Sequence, residues 1–286
     1  MSEEAKGIFN TLGNIKNLPH IPNSIMQLQQ TLTDPDASPR AIANHLKSEP
    51  VMATQLLKIA ENLRKSRNPQ NPPIISIEHA VVYIGFKSVK DLVLAASLRT
   101  FKIPESKFHV ENYWAESLLT GSITEYLARK FSIPLPEDQL FLAGSLCNIG
   151  KLVLAMCFPG LVTKIITDIS SPETLGTWQM AEIRYQFPSH TILGEIAAAL
   201  WGLPDFVMQS ARKHHDKMTS KGNSLEIWEI AGVANQLTHW IFLEPHRIDA
   251  PFLQDFCSRY KLSENELEKL VVEIEKKFSQ ASKAVA

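Results

Sequence analysis

The sequence predicts an all-α protein. Apolar residues recur at the three- and four-residue spacing of helices along almost the whole chain, and the alternation typical of strands is hard to find. Prolines divide this pattern into segments of about 10 to 20 residues, the usual length of helices in globular proteins. Each proline stands where a helix can begin, since its fixed φ suits the first helical turn: Pro22, Pro39, Pro50, Pro136, Pro172, Pro188 and Pro204.

A polar stretch from Arg64 to Pro73 follows the first group of predicted helices. It is basic and rich in proline, so we expect a solvated loop that connects two helical groups. No aromatic residue lies among Arg64, Lys65 and Arg67, which makes a nucleic-acid site the less favoured interpretation. We therefore expect charge reversal at these three positions to weaken capture of a partner and to leave the stability nearly unchanged.

A second break, from Phe101 to Val110, is expected to separate two subdomains, the second of which opens with a helix around Tyr113 to Phe131. Near the end of the chain, Ser263 and Glu266 have the spacing of a capping box. The apolar face behind them predicts an amphipathic helix: Leu267, Leu270, Val271, Ile274 and Phe278. We expect this helix to pack on its own domain, and the alternative is a helix kept free for a partner or dimer.

The composition excludes several classes of protein. With 29 basic and 30 acidic side chains, the chain has no overall field that favours nucleic acid or an anionic membrane. The acidic start lacks an apolar leader, and no uncharged run approaches the roughly 20 residues of a spanning helix. We expect a soluble, cytoplasmic protein. Three cysteines are too few for a disulfide framework, so we expect them to be reduced and mostly buried.

One segment has the pattern of a metal site without its ligands: Leu142-Ala143-Gly144-Ser145-Leu146-Cys147-Asn148-Ile149-Gly150-Lys151-Leu152. With His and Asp in place of Cys147 and Asn148, it would resemble the signature of HD-type metal-dependent phosphohydrolases, in which adjacent imidazole and carboxylate groups hold a divalent metal. An asparagine amide is a much poorer ligand than a carboxylate for a hard cation, and a thiol must first lose its proton.

An ordered series of motifs resembles the HDOD family, bacterial signalling relatives of the HD and HD-GYP hydrolases. The series consists of Leu18-Pro19-His20-Ile21-Pro22, Glu49-Pro50-Val51, Gln55 to Ala60, Ile75 to Gly85, and Leu200-Trp201-Gly202-Leu203-Pro204. The resemblance covers about residues 15–215. It implies an N-terminal helical half at about 15–105, a degenerate HD-like half at about 106–215, and a C-terminal helical extension at 216–286 that packs on the HD-like half.

The same resemblance locates the remnant of the ancestral site. Glu116 lies near the position of the first metal-binding His, Cys147-Asn148 replaces the His-Asp pair, and Asn235 stands at the late Asp. Three histidines match family positions that are retained. The expected remnant, a candidate ligand pocket, consists of Glu116, Cys147, Asn148, Lys151, His190, His214, His215 and Asn235. Cys147 and the histidines could hold zinc, but we favour histidines that are hydrogen-bonded parts of the fold.

We therefore expect a non-catalytic signal-transduction module that acts by binding a protein or a small ligand. The alternatives are a residual metal-dependent phosphohydrolase acting on a nucleotide or cyclic dinucleotide, and a purely structural adaptor. No residue is assigned to catalysis or to a metal, and no cofactor is expected, with zinc or another divalent metal at the remnant as the less favoured case. The expected partner is a signalling protein, not nucleic acid or a membrane, and a homodimer is left open.

Overall fold

Helices form the regular structure in the part of the chain that the computed structural model describes. This part comprises residues 1–11, 18, 27–28, 31–32, 34, 36–47, 50–86, 89, 93, 102–171, 177–220, 225–242 and 250–283. No β-strand occurs within these ranges, which confirms the predicted all-α class. The motif residues 19–22, together with Glu49 and Pro172, lie outside the described residues.

The chain divides into two compact units. The smaller unit spans Pro19–Phe101, and the larger unit combines Met1–Leu18 with Lys102–Ala286. The smaller unit contains α2 (Pro39–Lys47), α3 (Pro50–Arg67) and α4 (Ile77–Ile84). Side-chain hydroxyls cap two of these helices, because Ser38 Oγ accepts from the Ala41 N–H at 3.1 Å and Ser76 Oγ accepts from the His79 N–H at 3.0 Å.

The basic cluster predicted to be a loop is instead the last turn of α3, which continues to Arg67. Arg64 is buried, with 7% of its surface exposed. Its guanidinium pairs with the Glu61 carboxylate at 2.6 Å and donates to the carbonyl oxygens of Pro69 and Asn71 at 3.0 and 2.6 Å. The hydrogen bond from Arg64 is the main reason why the pKa of Glu61 falls to about 2.

The expectation that charge reversal here leaves the stability unchanged is therefore wrong for Arg64. A carboxylate at position 64 would face Glu61 and would leave the carbonyls of the following loop without their donor. Lys65, by contrast, is exposed and lies 3.9 Å from Glu61. The sequence predicted the polar loop but placed its start four residues too early. Arg and Lys have high helix propensity, so the helix continues through residues 64–67 before the loop begins.

The larger unit begins with α1 (Glu3–Thr11), which packs against a helix far along the chain. The other helices are α5 (Val110–Lys130), α6 (Glu137–Leu146), α7 (Ile149–Cys157), α8 (Pro159–Ile169), α9 (Trp178–Arg184), α10 (His190–Leu200), α11 (Asp205–Lys213), α12 (Ile227–Ile241), α13 (Ala250–Tyr260) and α14 (Glu264–Lys283). α5 packs on α6 and α12, α7 packs on α10, and α11 packs on both α10 and α12.

Two glycines allow the helices of this unit to approach closely. A Cβ at Gly150 on α7 would collide with the backbone carbonyl of His190, and a Cβ at Gly232 on α12 would lie 2.5 Å from the carbonyl oxygen of His214. Any larger residue would push α7 away from α10, or α12 away from the end of α11. These contacts place two of the predicted site histidines against α7 and α12.

The C-terminal helix α14 begins with the predicted capping box, in which Ser263 Oγ and the Glu266 carboxylate lie 2.7 Å apart. Its predicted apolar face is buried against α5 and α12, and Phe278 is partly buried against the same core. A polar contact at the edge of this interface joins Lys130 Nζ on α5 to the Glu273 carboxylate at 2.6 Å. α14 thus packs on the HD-like part of the chain.

Among the described residues, one apolar stretch, Gln139–Cys157, is long enough to cross a membrane by length and composition alone. The sequence predicts no such stretch when only uncharged runs are counted, because Lys151 interrupts this one. A turn at Cys147 and Asn148 interrupts the stretch between α6 and α7, and Lys151 lies within it. Since 78% of the stretch is buried inside the fold, it has the character of core helices.

Candidate functional site

His190 is the first residue of α10 and is fully buried. Its Nδ1 lies 3.0 Å from the carboxylate of Glu182 on α9. The same carboxylate oxygen accepts hydrogen bonds from the His190 backbone N–H and from the Trp178 indole N–H, each at 2.8 Å. Because a carboxylate can only accept, the His190 ring carries a proton on Nδ1, and the neutral ring therefore has a lone pair on Nε2.

His214 caps the C-terminal end of α11 and is also fully buried. Its Nδ1 lies 3.0 Å from the carbonyl oxygen of Ser210 and 3.2 Å from that of Ala211. A carbonyl has no proton to give, so the proton of the neutral ring resides on Nδ1. The Nε2 of His214 then also carries a lone pair, and it lies 3.4 Å from His190 Nε2.

His215 completes a cluster of three imidazoles. Its ring centroid lies 4.1 Å from that of His214 and 5.2 Å from that of His190. Its Nδ1 is buried and has no hydrogen-bond partner among the described residues. One nitrogen of each ring lies within 4.8 Å of the others. Burial, followed by the neighbouring cationic groups, holds the pKa of His214 and of His215 well below the ordinary value, so both are neutral at neutral pH.

Asn148 and Asn235 form a second polar group in the same unit. Asn148 lies in the turn before α7, and its Nδ2 donates to Asn235 Oδ1 on α12 at 2.6 Å. Both side chains are buried. Asn148 Oδ1 and Asn235 Nδ2 have no further partner among the described residues, so one acceptor and one donor remain available. The pair is neutral, whereas the resemblance implies two carboxylates at these positions in a hydrolase.

Cys147 and Lys151 border the amide pair. Burial raises the pKa of the Cys147 thiol to about 12, although the charge of Lys151 acts in the opposite direction. The thiol is therefore protonated at neutral pH and is a poor metal ligand. Lys151 is buried with its Nζ 5.3 Å from the Trp178 ring centre, and its charge also lowers the pKa of His214 and His215. Lys151 thus influences both the thiol and the imidazoles.

Glu116, the remaining residue of the predicted remnant, lies on α5 and is partly buried. Its backbone carbonyl accepts from Thr120 Oγ1 at 2.8 Å, and the same hydroxyl lies 3.0 Å from Thr238 Oγ1 on α12. This contact ties α5 to the helix that carries Asn235. The Glu116 charge, after burial, contributes to the raised pKa of Tyr113.

Sequence reasoning missed Glu182 and Trp178, which orient His190. The sequence does contain a sign of this role. Glu182 is an acidic residue that follows Ala181 on the apolar side of a short helix, and His190 comes eight residues later. Sequence reasoning also missed the contact of the N-terminus with α10, where Ser2 Oγ donates to the Glu195 carboxylate at 2.8 Å. Arg212 on α11 joins this contact by pairing with Glu4 at 2.9 Å.

The residues at the HD-type positions do not fit two metal ions. Such a centre relies on carboxylates that bridge or neutralise the cations. Here the corresponding positions hold a protonated thiol and two amides that bond each other. The histidines form a separate group, whose imidazole nitrogens are ligands of a different kind.

Comparisons with known proteins identify the family and the fold. The model of the HDOD domain matches residues 18–217. This chain belongs to the HDOD family. The resemblance drawn from the sequence motifs is therefore confirmed. A curated relative from Treponema pallidum (strain Nichols), described as an uncharacterized protein, is 21% identical over 202 residues, which are 71% of this chain and 38% of the relative. The chain thus spans less than two fifths of that relative's length.

Several solved structures share the fold. An HDOD domain protein of unknown function from Geobacter sulfurreducens has a TM-score of 0.72 and 20% identity, over 98% of this chain and 95% of that one. A candidate phosphohydrolase from Shewanella amazonensis SB2B gives 0.70 and 18%, over 96% and 97%. A candidate signal transduction protein from Marinobacter aquaeolei VT8 gives 0.69 and 18%, over 94% of this chain and 59% of that one.

Proposed function

We propose that this chain is a non-catalytic regulatory module of the HDOD family that acts in signal transduction by binding a protein or a small ligand. The observation that carries the proposal is the hydrogen bond between Asn148 Nδ2 and Asn235 Oδ1. These amides occupy the positions where the family resemblance implies the metal-binding carboxylates of a hydrolase. A site that joins two neutral amides to each other has given up the charge that hydrolysis requires.

The chemistry of hydrolysis explains why this substitution matters. A pair of divalent cations activates the attacking water and stabilises the leaving oxygen of a phosphoester. Holding two such cations close together requires negative charge between them. In this chain Cys147, next to Asn148, is protonated, and Lys151 is cationic, so neither of these groups supplies negative charge. This favours binding over catalysis.

The names of the structural relatives include both functions. One relative is named as a candidate phosphohydrolase and another as a candidate signal transduction protein, although their TM-scores against this chain are nearly equal at 0.70 and 0.69. The fold therefore does not discriminate between the two functions. The amide pair at the site supports the non-catalytic function for this chain.

The unpaired atoms of the amide pair indicate what a small ligand would offer. Asn148 Oδ1 accepts and Asn235 Nδ2 donates, and both are buried without a partner among the described residues. Leaving such a group unsatisfied costs about 1 to 3 kcal/mol. A small polar molecule with adjacent donor and acceptor atoms would satisfy both amides. On this proposal the macromolecular partner is a signalling protein, with neither nucleic acid nor a membrane involved.

A hydrolysis assay separates this proposal from the residual phosphohydrolase. The purified full chain is incubated with manganese, iron or magnesium and with bis-p-nitrophenyl phosphate or cyclic di-GMP. We expect no turnover above a protein-free blank. Metal-dependent turnover that disappears in His190→Ala would overturn the proposal and support the hydrolase.

Partner capture separates the regulatory module from a purely structural adaptor. Full-length protein is used to capture partners from its native host, with identification by mass spectrometry, as wild type and as Asn148→Leu. Asn112→Leu, at the exposed start of α5, is the matched control. Loss of a partner with Asn148→Leu alone links the amide pair to regulation, whereas identical capture by all three proteins supports the adaptor.

A further inference from the structure

We propose that His190, His214 and His215 together bind one divalent transition-metal cation of the zinc type. The proposal deepens the proposed function, on which it rests for the regulatory role, because it names a ligand of the same region. It concerns a single cation held by imidazoles alone, not the pair of cations of a hydrolase. The cluster of three imidazole nitrogens within 4.8 Å of one another is the starting observation.

The hydrogen-bond partners of two rings leave their Nε2 atoms without protons. The Nδ1 of His190 faces the Glu182 carboxylate, and the Nδ1 of His214 faces two backbone carbonyls. These acceptors fix the tautomer in which Nδ1 carries the proton and Nε2 carries the lone pair. Two lone pairs therefore face each other between the Nε2 atoms, an arrangement that is repulsive unless a positive species lies between or beside them.

The separation of these atoms favours a metal over a proton. The two Nε2 atoms are 3.4 Å apart. Two nitrogens bound to a tetrahedral zinc at about 2.0 to 2.1 Å lie roughly 3.3 to 3.4 Å from each other. A shared proton would instead give a hydrogen bond, for which heavy-atom distances of about 2.7 to 3.2 Å are normal. The observed spacing therefore matches two cis ligands of a four-coordinate cation.

His215 supplies the third ring, and neighbouring groups orient His190. His215 lies next to the other two rings, with one nitrogen within 4.8 Å of a nitrogen of each, and its buried Nδ1 has no hydrogen-bond partner among the described residues. The Glu182–His190 contact is the carboxylate–histidine pairing that orients many metal-binding imidazoles and raises their basicity. The Trp178 indole N–H in turn fixes the carboxylate at 2.8 Å.

The ligand type determines which cation fits. Imidazole nitrogens suit zinc, cobalt, nickel and copper, whereas magnesium and calcium require oxygen ligands. The buried Lys151 charge opposes any cation, but the buried Glu182 carboxylate supplies one negative charge directly behind His190. Three neutral ligands with one carboxylate behind them resemble the three-histidine class of zinc sites, which keeps a fourth coordination position for water or another ligand.

Metal binding is tested on untagged full-length protein after dialysis against EDTA. Zinc, cobalt and magnesium are titrated in by calorimetry, and the bound metal is counted by inductively coupled plasma mass spectrometry. We expect one zinc per chain, a visible absorption band of four-coordinate cobalt, and no response to magnesium. Absence of stoichiometric zinc in the wild type would overturn the proposal, whatever the variants do.

Three variants locate the site. His214→Gln should lose stoichiometric zinc, and Glu182→Gln should bind it about 10- to 100-fold more weakly, the usual effect of removing a group that orients a ligand. His109→Gln changes an exposed histidine at the start of α5 and should bind like the wild type. Circular dichroism confirms that each variant is folded. Unchanged zinc stoichiometry in folded His214→Gln would assign the metal elsewhere and refute the site.

The zinc measurements and the hydrolysis assay test the two proposals separately. Zinc binding without turnover supports both proposals, and zinc-dependent turnover would retain the metal site but overturn the non-catalytic function. If neither zinc nor turnover is found, the metal site is refuted while the non-catalytic function stands.

Discussion

The larger unit contains two polar groups, the histidines and the amide pair, which differ in how many of their polar atoms have hydrogen-bond partners. On the side of α10 and α11, the Nδ1–H groups of His190 and His214 keep their hydrogen bonds to the Glu182 carboxylate and to backbone carbonyls. On the side of α7 and α12, Asn148 and Asn235 bond each other and leave two polar atoms without partners. In the first group the Nδ1 atoms of His190 and His214 both have an acceptor, whereas in the second group one amide oxygen and one amide nitrogen have no partner among the described residues.

On the proposed function, this difference indicates which part of a metal site can persist in a protein that does not hydrolyse a substrate. Neutral imidazoles held in one tautomer tolerate burial, because the Nδ1 protons of His190 and His214 each have an acceptor. Two buried carboxylates without a cation would repel each other and require protonation. On the proposed function, amides at these positions keep the fold stable without a cation, while the histidine side keeps its hydrogen bonds.

The largest expected effect comes from Gly150, which lies between the two groups. Gly150→Ala places a methyl group against the His190 carbonyl and must separate α7 from α10. We expect a loss of at least about 3 kcal/mol in the free energy of unfolding, measured by urea denaturation. Gly160→Ala is the matched control, since nothing lies within 4 Å of a Cβ there, and it should change the stability by less than about 1 kcal/mol. Equal stabilities of the two variants would contradict the proposed close approach.

Removing the support of the histidine side should have the next largest effect. Glu182→Leu leaves the His190 N–H groups and the Trp178 indole without their acceptor. We expect a loss of about 2 to 3 kcal/mol, since several buried donors become unsatisfied. The double variant Asn148→Leu/Asn235→Leu removes both partners of the amide pair and should remain within about 1 kcal/mol of the wild type. If the double variant is the less stable one, the contrast between the two sides is wrong.

Placing carboxylates at positions 148 and 235 tests whether the neutral amides are what stabilises this side without a metal. In the metal-free double variant Asn148→Asp/Asn235→Asp, two buried acids take the place of the amides, and we expect the free energy of unfolding to fall by about 1 to 3 kcal/mol at neutral pH. Manganese should then raise the thermal midpoint of this variant, because carboxylates suit hard cations. The wild type should not respond. A manganese response of equal size in both proteins would show that the amide side still binds hard cations.

The sequence was sufficient for the class of fold, the family and the composition of the histidine group. Helical spacing and the capping box at Ser263 are local, so they can be read from neighbouring residues. The role of Glu182 could not be read in this way, because it depends on how α9 lies against the start of α10. The burial of Arg64 was missed for a similar reason, since its partners at Pro69 and Asn71 become visible only when the chain turns back on α3.

The last prediction concerns the reactivity of the Cys147 thiol. It is measured in the wild-type protein, without any substitution in the amide pair or the histidines. If this thiol were ionised, the amide side would carry a negative charge and its contrast with the histidine side would weaken. Because burial raises its pKa to about 12, the thiolate fraction at pH 8 is very small. We expect alkylation by iodoacetamide, followed by mass spectrometry, to be more than about 1,000-fold slower in the native protein than in urea, where an ordinary thiol pKa applies.

The partly exposed Cys257, whose pKa burial also raises, serves as the internal comparison and should be labelled faster. Native Cys147 that reacts as fast as Cys257 would mean that the thiol is accessible or ionised, and the amide side would then have to be counted as a potential metal ligand set.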